Sequence, residues 1–297
     1  MATGNATTVD WHIIDDARPL AAATSRADAQ VSADDVAAFG RDGVVAFRGA
    51  FTEWVEPLRA GLQRTLEEPD RYAFPCESSR ADEPGRFFDS YCNWQLIPEY
   101  LAFVLTSRAA SLAGQVMGSR SAQLFHEHAF CKEAGTTKAT PWHHDLPYYC
   151  VDGRQTASVY VALDTIPESI AVRFWRGSQH GDQLYVPRDF AAGAEYDAGD
   201  LTMLSVPDVD TEARPGDILA LDLEPGDAYV FDFRTLHGSG NAAVAARRRA
   251  FSTRWLGDDV TYVDRPGETS PPLSDLGMRT GDRMREDWFP VLWTAPT

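Results

Sequence analysis

Apolar positions in the N-terminal part of the chain recur at helical spacing. A capping-box pattern begins at Ser32 and predicts a first helix that ends at Gly43. An apolar run over 44–47 then predicts a strand. Two further helical stretches are predicted over 53–67 and 98–118, and the second begins with proline, which favours the first turn of a helix.

The segment that contains these helices, residues 31–118, is therefore predicted to be mainly helical. Residues 1–30 are small, polar and aperiodic, and we expect them to be weakly ordered. Residues 70–95 carry six aromatic side chains with no regular spacing. A loop of this length is often functional, so the segment is either a lid over a site or a stretch of surface folded back on the domain.

Beyond residue 120 the pattern changes to short apolar runs separated by turn residues such as those of 224–227. The runs predicted to be strands are 123–130, 156–163, 172–175, 183–186, 217–222, 228–233 and 249–256. Many short strands with this punctuation indicate a β-sandwich or barrel. We predict a mainly β fold with N-terminal helices and a double-stranded β-helix (jelly-roll, cupin-like) core over 120–260. The whole chain, residues 1–297, is predicted to be a single domain.

Charge and composition limit the classes of molecule that the protein is expected to bind. The chain carries a formal net charge of −17, which should repel nucleic acid and anionic membranes. Its N-terminus lacks a basic region followed by an apolar run, and no apolar stretch approaches the length of a membrane span. The four cysteines form no C-x-x-C pair. We expect a cytoplasmic protein with reduced cysteines and a small-molecule substrate, and its oligomeric state stays open.

The segment Thr140-Pro141-Trp142-His143-His144-Asp145 is the most informative in the chain. In an extended backbone, residues two apart point to the same side. His143 and Asp145 can therefore face one metal ion, while His144 points the other way.

A third ligand is available at His237, just beyond a predicted strand. Two histidines and one carboxylate form the facial triad that is diagnostic of non-haem Fe(II) oxygenases, because it leaves coordination positions open. An arginine run, 247–249, opens the next strand. A guanidinium that enters the barrel suits a bidentate clamp on a carboxylate such as the distal one of 2-oxoglutarate.

Several motifs in the expected order resemble the phytanoyl-CoA dioxygenase family of Fe(II)/2-oxoglutarate-dependent oxygenases. They are Lys132-Glu133-Ala134-Gly135, Thr140 to Asp145, Tyr160 to Asp164, Arg176-Gly177-Ser178, Glu224 to Asp227, His237 to Asn241 and Arg248 to Ser252. The resemblance covers about 120–260. It implies that His143, Asp145 and His237 bind Fe(II).

The resemblance also implies a 2-oxoglutarate site. Arg248 lies eleven residues after His237, where the family places its cosubstrate arginine, and Ser239 would assist it. Tyr160 occupies a position where the family often has an aromatic residue, and Thr140 and Lys132 are further candidates. Arg248 shares strand parity with residues 250, 252 and 254, so its two arginine neighbours should face away.

The substrate pocket is less constrained. Trp142, Tyr148 and Tyr149 are candidates for its wall, although aromatic side chains of this kind more often pack in a core. His144 replaces the glutamine common in the family, and it either contacts substrate or cosubstrate or faces the adjoining sheet.

The resemblance implies an enzyme that uses Fe(II), 2-oxoglutarate and O2 and releases succinate and CO2. The default reaction is hydroxylation of a C–H bond in a small or medium organic molecule, in specialised metabolism. Desaturation, epoxidation and ring closure use the same triad. Two alternatives stay open: a metal-dependent jelly-roll enzyme that does not use 2-oxoglutarate, and a non-catalytic binding protein of the same fold.

Overall fold

The structure is a computed structural model. It describes residues 28–72, 74–77, 84–188, 195, 202–240, 242, 244–267, 269–273 and 276–296. The expectation of weak order in residues 1–30 falls almost entirely outside this range, as do positions 73 and 78–83 of the aromatic loop. None of the described helices is long and apolar enough to cross a membrane.

Five α-helices lie in the described part of the chain: α1 (Ala33–Asp42), α2 (Val55–Glu67), α3 (Pro98–Thr106), α4 (Ala109–Val116) and α5 (Val209–Glu212). The predicted capping box starts α1, since Ser32 Oγ accepts from the Asp35 backbone and the Asp35 carboxylate accepts from the Ser32 backbone. Gly43, with φ of 74°, ends it in the left-handed conformation. The stretch predicted as one helix over 98–118 is two helices, because Ser107 adopts an extended conformation between them.

The strands are β1 (Val44–Phe47), β2 (Pro75–Glu77), β3 (Phe87–Tyr91), β4 (Ser121–Lys132), β5 (Thr140–His143), β6 (Val151–Asp152), β7 (Thr156–Ala162), β8 (Val172–Trp175), β9 (Ile218–Leu219), β10 (Ala228–Phe231), β11 (His237–Ser239), β12 (Arg248–Leu256), β13 (Thr261–Tyr262) and β14 (Val291–Thr294). All named strands pair antiparallel. A large sheet has the order β1-β10-β7-β12-β4-β3-β2, with β14 also on β4. A small sheet has the order β5-β11-β8-β9, and β13 pairs with β6. The chain is thus mainly β, as predicted.

Two strand predictions need correction. The run 183–186 forms only an isolated bridge from Tyr185 to Leu204, and the run 217–222 shortens to β9. Conversely, the aromatic segment 70–95 contains β2 and β3, which extend the large sheet. Side-chain spacing did not reveal these strands because both faces of β3 are buried, so apolar and polar positions do not alternate.

The main core lies between the large sheet and helices α1 to α4. On β12, Phe251 and Trp255 point into this core with Leu58, Leu62 and Phe103 from the helices. The alternate residues of the same strand point to the opposite face, where side chains of both sheets line one cavity. The helices therefore hold one face of the sheet rigid and leave the other for a site. Cys92, Cys131 and Cys150 are buried and carry free thiols.

Candidate metal and cosubstrate site

The three predicted metal ligands meet at the small sheet. His143 ends β5 and His237 begins β11, and the two residues are direct partners in the strand register. Asp145 follows two residues later in a helical conformation, at the start of a short 3-10 turn. Its Oδ1 lies 3.6 Å from Nε2 of each histidine. All three side chains are buried, and their ligand atoms lie within 4.8 Å of one another.

Hydrogen bonds set the tautomer of both histidines. Nδ1 of His143 lies 2.8 Å from the carbonyl of Pro141, and Nδ1 of His237 lies 2.9 Å from the carbonyl of Thr235. A carbonyl only accepts, so each Nδ1 carries the proton and each Nε2 turns a lone pair toward Asp145. Burial, together with the nearby His143, lowers the pKa of His237 to about 3. Both rings are therefore arranged as metal ligands.

The carboxylate is held ionised. Burial raises the pKa of Asp145, but the charge of the nearby Arg254 opposes this effect, and the pKa lies well below its usual range. Oδ2 of Asp145 lies 3.2 Å from Ser158 Oγ and 3.8 Å from Nη2 of Arg254. Two imidazoles and one carboxylate oxygen with converging lone pairs suit Fe(II) and leave room for exogenous ligands.

The cavity beside the triad has a volume of about 300 Å³. One wall of the cavity is the inward face of β3, β4 and β12 in the large sheet. The strand register arranges the side chains of this wall in rows. Each row holds neighbouring residues of β3, β4 and β12. The first row is Phe87, Lys132 and Arg248, the second is Asp89, Phe130 and Ala250, the third is Tyr91, His128 and Ser252, and the last is His126 and Arg254. Cationic side chains therefore lie at both ends of this wall, and aromatic side chains lie among those between them.

The predicted cosubstrate residues form one connected cluster at the first end. Nη1 of Arg248 donates to the carbonyl of Ile170 at 2.6 Å, and Nη2 donates to the hydroxyl of Tyr160 at 3.1 Å. Lys132 is the register partner of Arg248. Its ammonium lies 3.3 Å from Ser239 Oγ, which also accepts from the Thr140 backbone at 3.1 Å.

This cluster is cationic and buried. Arg248 and Lys132 are 8% and 6% exposed, and both line the cavity. Burial and the charge of Arg248 lower the pKa of Lys132 to about 7. As parity requires, the neighbours of Arg248 face away, since Arg247 pairs with Glu133 and Arg249 with Asp164.

The four predicted pocket residues divide into two pairs. Tyr148 and Tyr149 line the cavity. Trp142 lies outside it, with its ring under Arg173 and its indole nitrogen 3.3 Å from Asp210. His144 also turns away, and its Nε2 accepts from the backbone of Tyr185 at 3.0 Å. The reason is strand alternation, since Trp142 and His144 flank the inward-facing His143.

The sequence did not reveal the part of the cavity wall contributed by β3 and by β4 before Lys132, which includes Asp89, His126 and His128. No role was predicted for Arg254, although that residue shares the parity of Arg248 on β12. The parity of β12 was the available signal for Arg254. No comparable signal marked β3.

A buried two-histidine, one-carboxylate set beside a cationic cluster, inside an antiparallel β fold, defines the class of mononuclear non-haem metalloproteins. The family model of phytanoyl-CoA dioxygenase (PhyH) matches residues 39–250. The chain belongs to this family, and the resemblance seen in the sequence is confirmed. A search of curated protein sequences found no match.

Solved structures share the fold. The non-haem alpha-ketoglutarate-dependent carbocyclase SnoK from nogalamycin biosynthesis has a TM-score of 0.69 at 22% identity, over 91% of this chain and 100% of that one. The epimerase SnoN, in complex with Fe3+, alpha-ketoglutarate and nogalamycin RO, has a TM-score of 0.63 at 21% identity, over 88% and 98%. EvdO2 from Micromonospora carbonacea var. aurantiaca, complexed with 2-oxoglutarate, has a TM-score of 0.55 at 19% identity, over 84% of this chain and 100% of that one.

Proposed function

We propose that this protein is an Fe(II)/2-oxoglutarate-dependent oxygenase that oxidises a C–H bond of a small or medium organic molecule, with hydroxylation as the default outcome. Its cosubstrates are 2-oxoglutarate and O2, and its products include succinate and CO2. One observation carries the proposal: the triad and the Arg248 cluster face the same cavity. A metal-dependent enzyme that did not use 2-oxoglutarate would have no need for this second, cationic end.

Each end of the cavity has a separate task. His143, Asp145 and His237 would hold Fe(II), which, with 2-oxoglutarate and O2 bound, supplies the oxidising chemistry. Arg248 would bind the distal carboxylate of 2-oxoglutarate, and Lys132 would add a second positive charge. Tyr160 orients the guanidinium through its hydroxyl. The aromatic side chains between the two ends exclude water from the reacting atoms.

The fold and the relatives support the finer parts of this proposal. A large and a small antiparallel sheet on either side of one cavity fit a double-stranded β-helix. We propose that the chain is a single catalytic domain, which the packing of the described helices on the large sheet supports. SnoK and SnoN both belong to nogalamycin biosynthesis, which supports a substrate from specialised metabolism.

The test is anaerobic loading with Fe(II), titration with 2-oxoglutarate, and measurement of succinate after O2 is admitted. We expect the native protein to bind both and to form succinate slowly even without substrate. His143→Ala should lose metal binding and succinate formation, whereas Trp142→Phe, outside the cavity, should keep both. Near-native turnover in His143→Ala would refute the assignment, and metal binding without 2-oxoglutarate binding would favour an enzyme that needs no such cosubstrate.

A further inference from the structure

The cavity wall formed by β3, β4 and β12 carries polar atoms that the proposed reaction does not use. Four buried side-chain atoms there have no hydrogen-bond partner within the described part of the chain: Oδ1 of Asp89, Nε2 of His126, Oγ of Ser252 and Nη1 of Arg254. All four residues line the cavity. Nε of Arg188, elsewhere in the cavity lining, is a fifth such atom. Buried polar atoms almost always have partners in folded proteins, so four on this one wall indicate that a bound molecule supplies them.

The protein contacts of these residues fix what each free atom can do. Oδ2 of Asp89 lies 3.0 Å from Nε2 of His128, which leaves Oδ1 as an acceptor. Nδ1 of His126 lies 3.2 Å from the carbonyl of Glu127 and carries the proton, so its Nε2 is also an acceptor. Burial and the charge of Arg254 hold the pKa of His126 well below its usual range, which keeps the ring neutral.

The other two atoms complement these acceptors. Nη1 of Arg254 can only donate, and the hydroxyl of Ser252 can donate or accept. The wall therefore offers two acceptors, one donor and one group of either kind. Arg254 also lies 3.8 Å from Oδ2 of Asp145, so this polar wall adjoins the metal ligands.

The mixture discriminates among ligand classes. An ammonium group would satisfy Asp89 and His126 but would face the cation of Arg254. A carboxylate would satisfy Arg254 but would face the anion of Asp89. A hydroxyl group both donates and accepts and carries no charge, so adjacent hydroxyls can satisfy all four atoms without electrostatic repulsion.

Flat side chains lie next to the polar atoms. The ring of His128 stacks on Phe130 with centroids 4.1 Å apart and an interplanar angle of 27°. Tyr91 lies beside His128 at 5.0 Å. The ligand would share this cavity of about 300 Å³ with 2-oxoglutarate, and the flat side chains favour a compact ring.

We propose that Asp89, His126, Ser252 and Arg254 form a substrate subsite for a neutral ring that bears adjacent hydroxyl groups. This assignment rests on the proposed function, because it places the substrate beside the metal of that reaction. The C–H bond presented for oxidation then belongs to the hydroxylated ring or to the carbons next to it.

Three ring compounds of equal size test the subsite: cis-cyclohexane-1,2-diol, protonated cyclohexylamine and cyclohexanecarboxylate. Their affinities for the protein loaded with Zn(II) and 2-oxoglutarate can be compared by ligand-observed NMR. We expect the diol to bind about fivefold or more tightly than either charged analogue. Equal or tighter binding of the amine or the carboxylate would overturn the proposal, as would no binding of the diol to the loaded protein.

Ser252→Ala is the sharpest variant, because it removes a hydroxyl that has no protein partner. It should leave the melting temperature unchanged and weaken the diol about three- to tenfold, and Asp89→Asn should weaken it similarly. Ser90→Ala is the matched control, since Ser90 Oγ accepts from the Asn93 side chain at 2.7 Å. It should lower the melting temperature and leave the diol affinity unchanged. Unchanged diol affinity in Ser252→Ala would mean that water fills the wall, and would overturn the proposal.

The two proposals fail in different ways. If 2-oxoglutarate does not bind, but the protein loaded with Zn(II) alone shows the diol preference and the Ser252→Ala loss, the subsite stands and the oxygenase assignment fails. If 2-oxoglutarate binds and succinate forms but the diol preference is absent, the oxygenase assignment stands and the subsite fails.

Discussion

The guanidinium of Arg254 lies 3.8 Å from Oδ2 of Asp145, while Oδ1 of the same carboxylate lies 3.6 Å from Nε2 of both His143 and His237. Ser158 also approaches Oδ2, at 3.2 Å. The two oxygens thus face different partners. Oδ1 is the oxygen that would bind a metal, while Arg254 and Ser158 hold the carboxylate from its other side.

Removing the guanidinium of Arg254 should lower the affinity of the site for metal. Arg254→Met is expected to weaken metal binding about 10- to 100-fold, the usual effect of losing a group that orients a ligand. Arg254→Lys should recover part of the loss because it restores the positive charge. Metal titration in the absence of 2-oxoglutarate measures both. Arg247→Met, an exposed arginine just before the same strand, is the control, and equal affinities in all three variants would contradict the role of Arg254.

Arg248 should matter for 2-oxoglutarate and not for the metal. Arg248→Met removes a charged donor pair from the far end of the cavity, and we expect the dissociation constant for 2-oxoglutarate to rise roughly 10- to 100-fold. Metal affinity should stay near native. Arg247→Met again serves as the control, because Arg247 pairs with Glu133 outside the cavity. An unchanged 2-oxoglutarate affinity would mean that Lys132, and not Arg248, binds the distal carboxylate.

Strand parity explains why part of this site was predictable. The alternation of side chains along β12 is enough to place Arg248 inward, because a one-residue shift would turn Phe251 and Trp255 away from the core. His143 and Asp145 were predicted to face one metal ion because both would lie on an extended backbone. Asp145 instead adopts a helical conformation past the strand end, so the pair converges through a turn and not through strand alternation alone.

The cavity residues on β3 and β4 could not be predicted for a different reason. Side chains of β3 and β4 reach the cavity through pairing between residues far apart in sequence, such as Tyr91 with His128. Strand propensity depends on such tertiary partners more than on local sequence. In β3 both faces are buried, so no alternation marked Asp89 as inward. Strands β5 and β11 were also missed as strands, because they are only four and three residues long.

Glu127 should make the stability depend on pH. Burial raises its pKa from 4.5 to about 7, against the hydrogen bond from the Asn93 backbone. The folded state therefore retains a proton that the unfolded state releases, so stability falls as pH rises from about 4.5 to 7 and stays reduced above that.

Glu127→Gln removes the titrating group and keeps an acceptor for Asn93. It should stabilise the protein by roughly 2 to 3 kcal/mol at pH 8 and by much less at pH 5. Urea unfolding at the two pH values measures the difference, with the exposed Glu67→Gln as control. The same gain at both pH values would show that ionisation of Glu127 is not responsible.

Lys132 should couple 2-oxoglutarate binding to proton uptake. Its pKa of about 7, lowered by burial and by Arg248, leaves it mostly neutral at pH 8. A bound dianion beside it favours the charged ammonium and raises the pKa, so binding at pH 8 should take up a proton. Calorimetric titration of the metal-loaded protein in two buffers with different ionisation enthalpies should give different binding enthalpies. In Lys132→Met the difference should vanish and the affinity should fall, whereas equal enthalpies for the native protein would place the cosubstrate away from Lys132.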